Sequence, residues 1–188
     1  MEALYLSTLA VAVAEIGDKT QLLSLVLVTR YGRPLLIAFG ILLATLANHA
    51  LAGWFGASLA AWLAPELVRW LLAASFLAMA LWLLIPDHLD EEDAAAPRGW
   101  GSALLATLIL FFLAEIGDKT QIATVVLAAR FEDALPMVVC GTTLGMLAAN
   151  VPMLYGGQAL MRRVPLAWVR RVASALFLVL AVLTALFG

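Results

Sequence analysis

The chain lacks most of what a soluble enzyme needs. Of its 188 residues 13% are charged, two are histidine and one, Cys140, is cysteine. A lone cysteine excludes an internal disulfide and cannot by itself make a thiolate metal site, so Cys140 reads as a small core residue. No GxxxxGK loop is present, which argues against direct drive by ATP, and no HExxH, serine/lysine or paired-aspartate arrangement marks hydrolytic chemistry. No enzymatic activity, resident cofactor or nucleic-acid partner is expected. A basic n-region is also missing: the chain starts Met1-Glu2, and its first apolar stretch is too long for a signal peptide, so it reads as a retained span.

What is abundant is apolar surface. Hydrophobic residues make up 64% of the sequence, outside the range of soluble domains, and the partner they imply is a lipid bilayer. Six stretches, near 3–29, 34–60, 66–86, 102–129, 134–160 and 167–187, are long enough to cross ~30 Å of hydrocarbon as helices. Glycine and proline punctuate the gaps, as in Gly32-Arg33-Pro34, Ala64-Pro65-Glu66 and Ala96-Pro97-Arg98-Gly99. The arginines divide unevenly between the two sides. Seven lie in the odd-numbered connections, and only Arg69 and Arg130 lie opposite, which places those connections in the cytoplasm and both termini outside.

Ala14-Glu15-Ile16-Gly17-Asp18-Lys19-Thr20-Gln21 returns unchanged as Ala114-Glu115-Ile116-Gly117-Asp118-Lys119-Thr120-Gln121. The repeat extends further, since Gly40 matches Gly141, Pro65 matches Pro165 and Val68-Arg69 matches Val169-Arg170. Three spans per half is an odd number, so the second half starts from the opposite side of the membrane. The expected fold is therefore an all-α membrane protein of six transmembrane helices in two inverted-topology three-helix repeats, 1–86 and 102–188, joined by an acidic cytoplasmic linker, 87–101. Inverted repeats meeting at a central polar site are the architecture of secondary transporters.

A charge at the membrane centre costs about 2.5–3.5 kcal/mol on insertion scales, so two matched clusters need a compensating use. Glu15 and Asp18, like Glu115 and Asp118, are three apart and project from one face of a regular helix. Four carboxylates converging on one volume offer hard oxygen ligands for Mg²⁺, Ca²⁺ or Mn²⁺, and the absence of histidine and cysteine from the motifs disfavours Zn²⁺ and Cu⁺. Gly17 and Gly117 permit local unwinding, which would free backbone carbonyls and turn Thr20, Gln21, Thr120 and Gln121 toward the site. Asn48 and Asn150, with Thr45, Thr142 and Thr143 nearby, supply further oxygens, although the amides serve equally well as interhelical hydrogen-bond glue. Lys19 and Lys119 each stand four residues after a glutamate, the favourable order for an intrahelical ion pair. Four carboxylates against two lysines leave a charge of −2, which one divalent cation or two protons neutralise. Metal and protons competing for one site make a divalent cation/proton antiporter.

Two copies of Glu-x-Gly-Asp-Lys-Thr in a six-span chain with an acidic central segment resemble the Gdt family, Ca²⁺/Mn²⁺:H⁺ antiporters that include Golgi cation transporters and bacterial manganese exporters. The resemblance covers essentially the whole chain. It implies that Glu15, Asp18, Glu115 and Asp118 bind the transported cation, with Lys19, Thr20, Lys119 and Thr120 as the remaining motif positions, and that exchange is proton-coupled. The compact length looks like a bacterial member in the inner membrane, for which Mn²⁺ export is the expected task and Ca²⁺ the second choice; assembly as a homodimer is left open.

Blander roles compete for several residues. The carboxylates and lysines could merely lock the halves together, but buried ion pairs are matched or bettered by apolar packing. His49 reads as a packed, hydrogen-bonded core residue, with proton relay the alternative. Trp54, Trp62, Trp70, Trp82, Trp100 and Trp168 fit an interfacial belt. A rival function is export of small organic solutes of amino-acid type, with Asp18 and Lys19 meeting a zwitterion.

Overall fold

The computed structural model describes residues 1–85, 102–163 and 165–187, and the only regular elements among them are helices. The linker expected at 87–101 lies outside the described residues. The first element, α1 (Glu2–Glu15), gives way to α2 (Lys19–Tyr31); α3 (Pro34–Trp62) and α4 (Pro65–Trp82) follow. After the linker come α5 (Ala103–Glu115), α6 (Lys119–Arg130), a single 3₁₀ turn (Glu132–Ala134), α7 (Leu135–Arg163) and α8 (Leu166–Phe187). Four helical segments, Pro34–Trp62, Pro65–Trp82, Glu132–Gly157 and Leu166–Phe187, are each long and apolar enough to cross a membrane.

The first and fourth expected spans are not continuous helices. Each is two helices joined end to end, broken at Ile16-Gly17-Asp18 and at Ile116-Gly117-Asp118. The cause is local. Gly17 and Gly117 have φ of +87° and +77°, a conformation that costs any residue with a Cβ, and the isoleucine before each glycine is already extended. The residues that follow rebuild a helix start. Asp18 and Asp118 are N-caps, with carboxylates accepting from Thr20 N–H at 3.4 Å and Lys119 N–H at 2.8 Å. Three residues beyond each cap a glutamine reaches back, so that Gln21 Oε1 accepts from Gly17 N–H at 2.9 Å and Gln121 Oε1 from Gly117 N–H at 2.7 Å. This is a capping box shifted by one residue. Gly-Asp-Lys-Thr-Gln is thus a helix-initiation signal, and it appears twice.

Proline at the first turn starts α3 and α4, where the missing N–H costs nothing, and Gly32 in the left-handed region ends α2. A further break occurs inside α7, at Gly157, with Pro152 one turn upstream.

Packing interleaves the two motif-bearing parts of the chain. Helix α1 lies along α7, and its sequence counterpart α5 lies along α3. The matched glycines make both approaches. A Cβ on Gly40 would stand 2.7 Å from Thr107 Cβ of α5, and one on Gly141 would stand 2.5 Å from the Leu4 carbonyl oxygen of α1. Helices α4 and α8 meet through Phe76 and Phe177, both fully buried, with ring centroids 6.1 Å apart. Trp54, Trp62, Trp70 and Trp168 face outward as a belt requires. Cys140, expected in the core, is exposed on α7 among other outward apolar residues such as Met137 and Leu144. A small apolar thiol is at no disadvantage there.

Candidate cation site

The acidic residues that flank both helix breaks are buried in this packing, whereas Ile116 and Gly117 of the second break are themselves exposed. Glu15 and Glu115, the last residues of α1 and α5, are fully buried, and Asp18, Asp118, Thr20, Thr120, Asn48 and Asn150 are buried with them. Lys19 of the first motif stands 3.7 Å from Asp118 of the second. The two motifs therefore meet in space, although their carboxylates are about 100 residues apart in sequence.

Around Glu15 the donor is an amide from α7. Asn150 Nδ2 donates to Glu15 Oε1 at 3.2 Å, lies 3.4 Å from Thr20 Oγ1, and is held by Ser24 Oγ donating to Asn150 Oδ1 at 2.9 Å. Gln21 Nε2 fastens the same turn by donating to the Ala149 carbonyl at 2.9 Å. Around Glu115 the donor is instead the motif's own threonine: Thr120 Oγ1 donates to Glu115 Oε2 at 2.6 Å. The amide counterpart, Asn48 on α3, accepts from Gln121 Nε2 at 2.7 Å and reaches the Phe112 carbonyl at 3.4 Å. The two lobes share residues but not wiring.

The lysines depart from the expected intrahelical pairing. Lys19 Nζ lies 3.7 Å from Asp118 Oδ2, crossing from one motif to the other. Lys119, buried, packs its ammonium 5.8 Å above the Trp82 ring, at the end of α4, and 3.4 Å from the Ile85 carbonyl in the turn that follows. The four-residue spacing from glutamate to lysine assumes one unbroken helix, and the positive φ at Gly17 and Gly117 removes that premise.

His49 is fully buried with its Nε2 4.0 Å from Glu115 Oε2, and neither ring nitrogen has a hydrogen-bond partner. That corrects the expectation of a hydrogen-bonded core residue. Sequence reasoning also missed Ser24, which orients Asn150. The available signal was its place one turn after Thr20, with Thr124 at the matching position of the second copy, where its hydroxyl donates to the Thr120 carbonyl at 2.8 Å. Thr45 and Thr143 are buried with hydroxyl oxygens that lack partners, whereas Thr142 is satisfied by its own helix.

Glu15 Oε2 and Glu115 Oε1 are likewise buried without a hydrogen-bond partner. A buried carboxylate oxygen in that condition is costly unless a proton or a cation answers it. Among the described residues no three histidine, cysteine, aspartate or glutamate side chains stand close enough to hold one metal ion. A cage of four converged carboxylates is thus not the arrangement present. Like charges in a low-dielectric interior repel, and here Asn150, Thr120 and Lys19 each take a separate carboxylate.

The family model described as "Divalent cation/proton antiporter GDT1" matches residues 3–91 and 103–188. The chain belongs to that family. The match spans both breaks and pauses only between 91 and 103, at the junction of the two motif-bearing parts. A protein of Vibrio cholerae serotype O1 named "Putative manganese exporter" is 53% identical over 187 residues, covering all of this chain and 92% of the relative. A GDT1-like protein of Synechocystis is 29% identical over 195 residues, covering 94% of this chain and 93% of the relative. No solved structure matches. Family membership and the apolar helices make this a membrane transporter of divalent cations.

Proposed function

We propose that the protein exports Mn²⁺, and Ca²⁺ less readily, from a bacterial cytoplasm across the inner membrane in exchange for protons, with Glu15, Asp18, Glu115 and Asp118 as the cargo site. One observation carries the reading. Two fully buried glutamates, each at a helix break and each with a carboxylate oxygen that no protein group answers, are what a site shared by a cation and protons requires. The name of the Vibrio cholerae relative supports Mn²⁺ as the cargo.

In this reading α1–α2 and α5–α6 each form one broken crossing, giving six crossings in two inverted halves. Residues from the amino terminus, the α3–α4 connection, the end of α6 and the end of α8 line one common pocket, as they must if successive crossings alternate in direction. Of the nine arginines only Arg69 and Arg130 belong to those regions, which supports an outward-facing position for that side. Cargo approaching from the cytoplasm meets the carbonyl end of α1, where the helix dipole favours positive charge. It displaces Lys19 from Asp118 and draws the glutamates inward, with Thr20, Gln21, Asn48, Thr120, Gln121 and Asn150 completing an oxygen shell and Lys119 balancing charge. Release outside leaves carboxylates that accept protons. Two protons restore the charge that one divalent ion removed. The differing wiring of the two lobes supports a pair of interconvertible arrangements, one for each side.

Purified protein in proteoliposomes tests this. Mn²⁺ flux exceeding Ca²⁺ and Mg²⁺ flux, accelerated by an opposing pH gradient and lost in both Glu15→Gln and Glu115→Gln, is the expected result. Full transport by either variant rejects the shared site, and indifference to the pH gradient rejects the proton half.

A further inference from the structure

The two arginines on the side otherwise poor in positive charge, Arg69 and Arg130, line the same pocket of about 480 Å³ between the ends of α3, α4, α6 and α8. Both guanidinium Nε atoms are buried without a hydrogen-bond partner. Among the described residues neither arginine makes an ion pair; Arg69 packs over the Trp70 ring, and Arg130 packs over Phe131 and donates from Nη1 to Thr184 Oγ1 at 2.6 Å. Two carboxylates, Glu2 and Glu132, also line the pocket, and both are exposed. Two guanidiniums here are unsuited to a cation's route and suited to a phosphate, which arginine binds bidentately.

The pocket does not end at the arginines. It shares Ala60, Leu63, Val68, Leu72 and Ala129 with a narrower space of about 80 Å³ that continues between α3, α4 and α6. That extension is almost wholly apolar, and its only polar side chain is Ser75. Two of its walls, Leu59 and Leu71, are nearly half exposed, at 45% and 46%, on the outward faces of their helices. Charged groups at one end and an apolar groove leading away from them have the polarity of a lipid molecule.

We propose that this crevice binds one phospholipid with a phosphoethanolamine headgroup. The phosphate sits on Arg69 and Arg130, the primary ammonium faces Glu2 and Glu132, and an acyl chain lies in the groove beside Ser75. Two arginines and two glutamates sum to zero, which matches a zwitterion better than a net anion. Basic pockets between membrane helices are an established way to hold lipid headgroups. A lipid there ties together α3, α4, α6 and α8 at the face toward which α6 runs from its cap at Asp118.

Native mass spectrometry of the delipidated full-length protein in detergent tests this independently of transport. The probes are dioleoyl phosphatidylethanolamine, dioleoyl phosphatidylglycerol, glycerophosphoethanolamine and inorganic phosphate. The ethanolamine lipid should bind tightest. Arg69→Gln should weaken it about tenfold, as expected for loss of a charge-assisted hydrogen bond, with partial rescue by Arg69→Lys. Ser75→Phe, which fills the groove without touching the arginines, should weaken the lipid but not glycerophosphoethanolamine. Unchanged lipid affinity in both Arg69→Gln and Ser75→Phe overturns the assignment. So does phosphatidylglycerol binding as tightly as phosphatidylethanolamine, or inorganic phosphate displacing the lipid at comparable concentration, which identifies a free-anion site.

Discussion

Replacing the motif glycines by alanine separates two costs that the structure distinguishes. At Gly117 a Cβ would meet nothing within 4 Å, so Gly117→Ala tests the backbone alone. Holding an alanine at a φ of +77° costs about 1–2 kcal/mol relative to glycine. For a chain of this size that corresponds to a melting temperature lower by roughly 2–8 °C. At Gly17 the φ of +87° carries the same penalty, and the new Cβ would also stand 2.8 Å from Leu166 Cδ2 at the start of α8. Gly17→Ala should therefore melt lower still, by a further increment of about 1 kcal/mol for overpacking against a side chain that can move. The double variant Gly17→Ala with Leu166→Ala removes the contact but not the backbone strain. In a double-mutant cycle its coupling should be favourable and about equal to that increment. Thermal unfolding in detergent, followed by tryptophan fluorescence and size exclusion, measures these variants, the Leu166→Ala single variant and wild type, and Mn²⁺ flux in proteoliposomes reports whether the break survives. A Gly117→Ala protein that melts and transports like wild type would show that positive φ does not maintain the break. Equal melting of Gly17→Ala and Gly117→Ala would refute the contact with Leu166.

Thr120→Val removes a 2.6 Å hydrogen bond from a buried carboxylate whose other oxygen already lacks a partner, so Mn²⁺ flux should fall about tenfold or more, whereas Thr20→Val, losing only a 3.4 Å contact with Asn150, should cost less than threefold. Comparison of initial rates for the two variants checks the inequality between the lobes. Lys19→Gln removes the cation that stands 3.7 Å from Asp118; because Lys19 is partly exposed, its field is screened, and the apparent Mn²⁺ affinity should rise only about three- to tenfold, read from the concentration dependence of uptake. Gly56→Ala drives a Cβ into the Val125 carbonyl oxygen, a backbone atom that cannot rotate away, so α3 and α6 must part and the melting temperature should drop more than for Gly117→Ala.

The membrane class of the chain was legible from composition, and the duplicated octapeptide marked the buried carboxylates without any fold. Those are local properties: an apolar run declares itself, and charge inside such a run needs a use wherever it folds. Helix starts at Pro34 and Pro65 are also written in single residues. The glycines of the motif announced that unwinding was feasible, but not that Asp18 and Gln21 would cap the new helix so completely that it counts as a separate element.

Partner choice belonged to the tertiary structure. Glu15 takes its donor from Asn150 and Lys19 takes its acceptor from Asp118, both contacts between segments about 100 or more residues apart. The four-residue arithmetic that paired each lysine with its own glutamate holds only on an unbroken helix. Likewise the even repeat gave no hint that Asn48 would turn to Gln121 while Asn150 turned to Glu15, because identical sequences can occupy different arrangements once their surroundings differ. Arg69 and Arg130 lie about 60 residues apart on different helices, so no periodicity unites them; only the packing of α3, α4, α6 and α8 gathers them into one pocket and runs an apolar groove away from it. Sequence decides which groups the membrane must hide, and close packing of distant helices decides which of them meet.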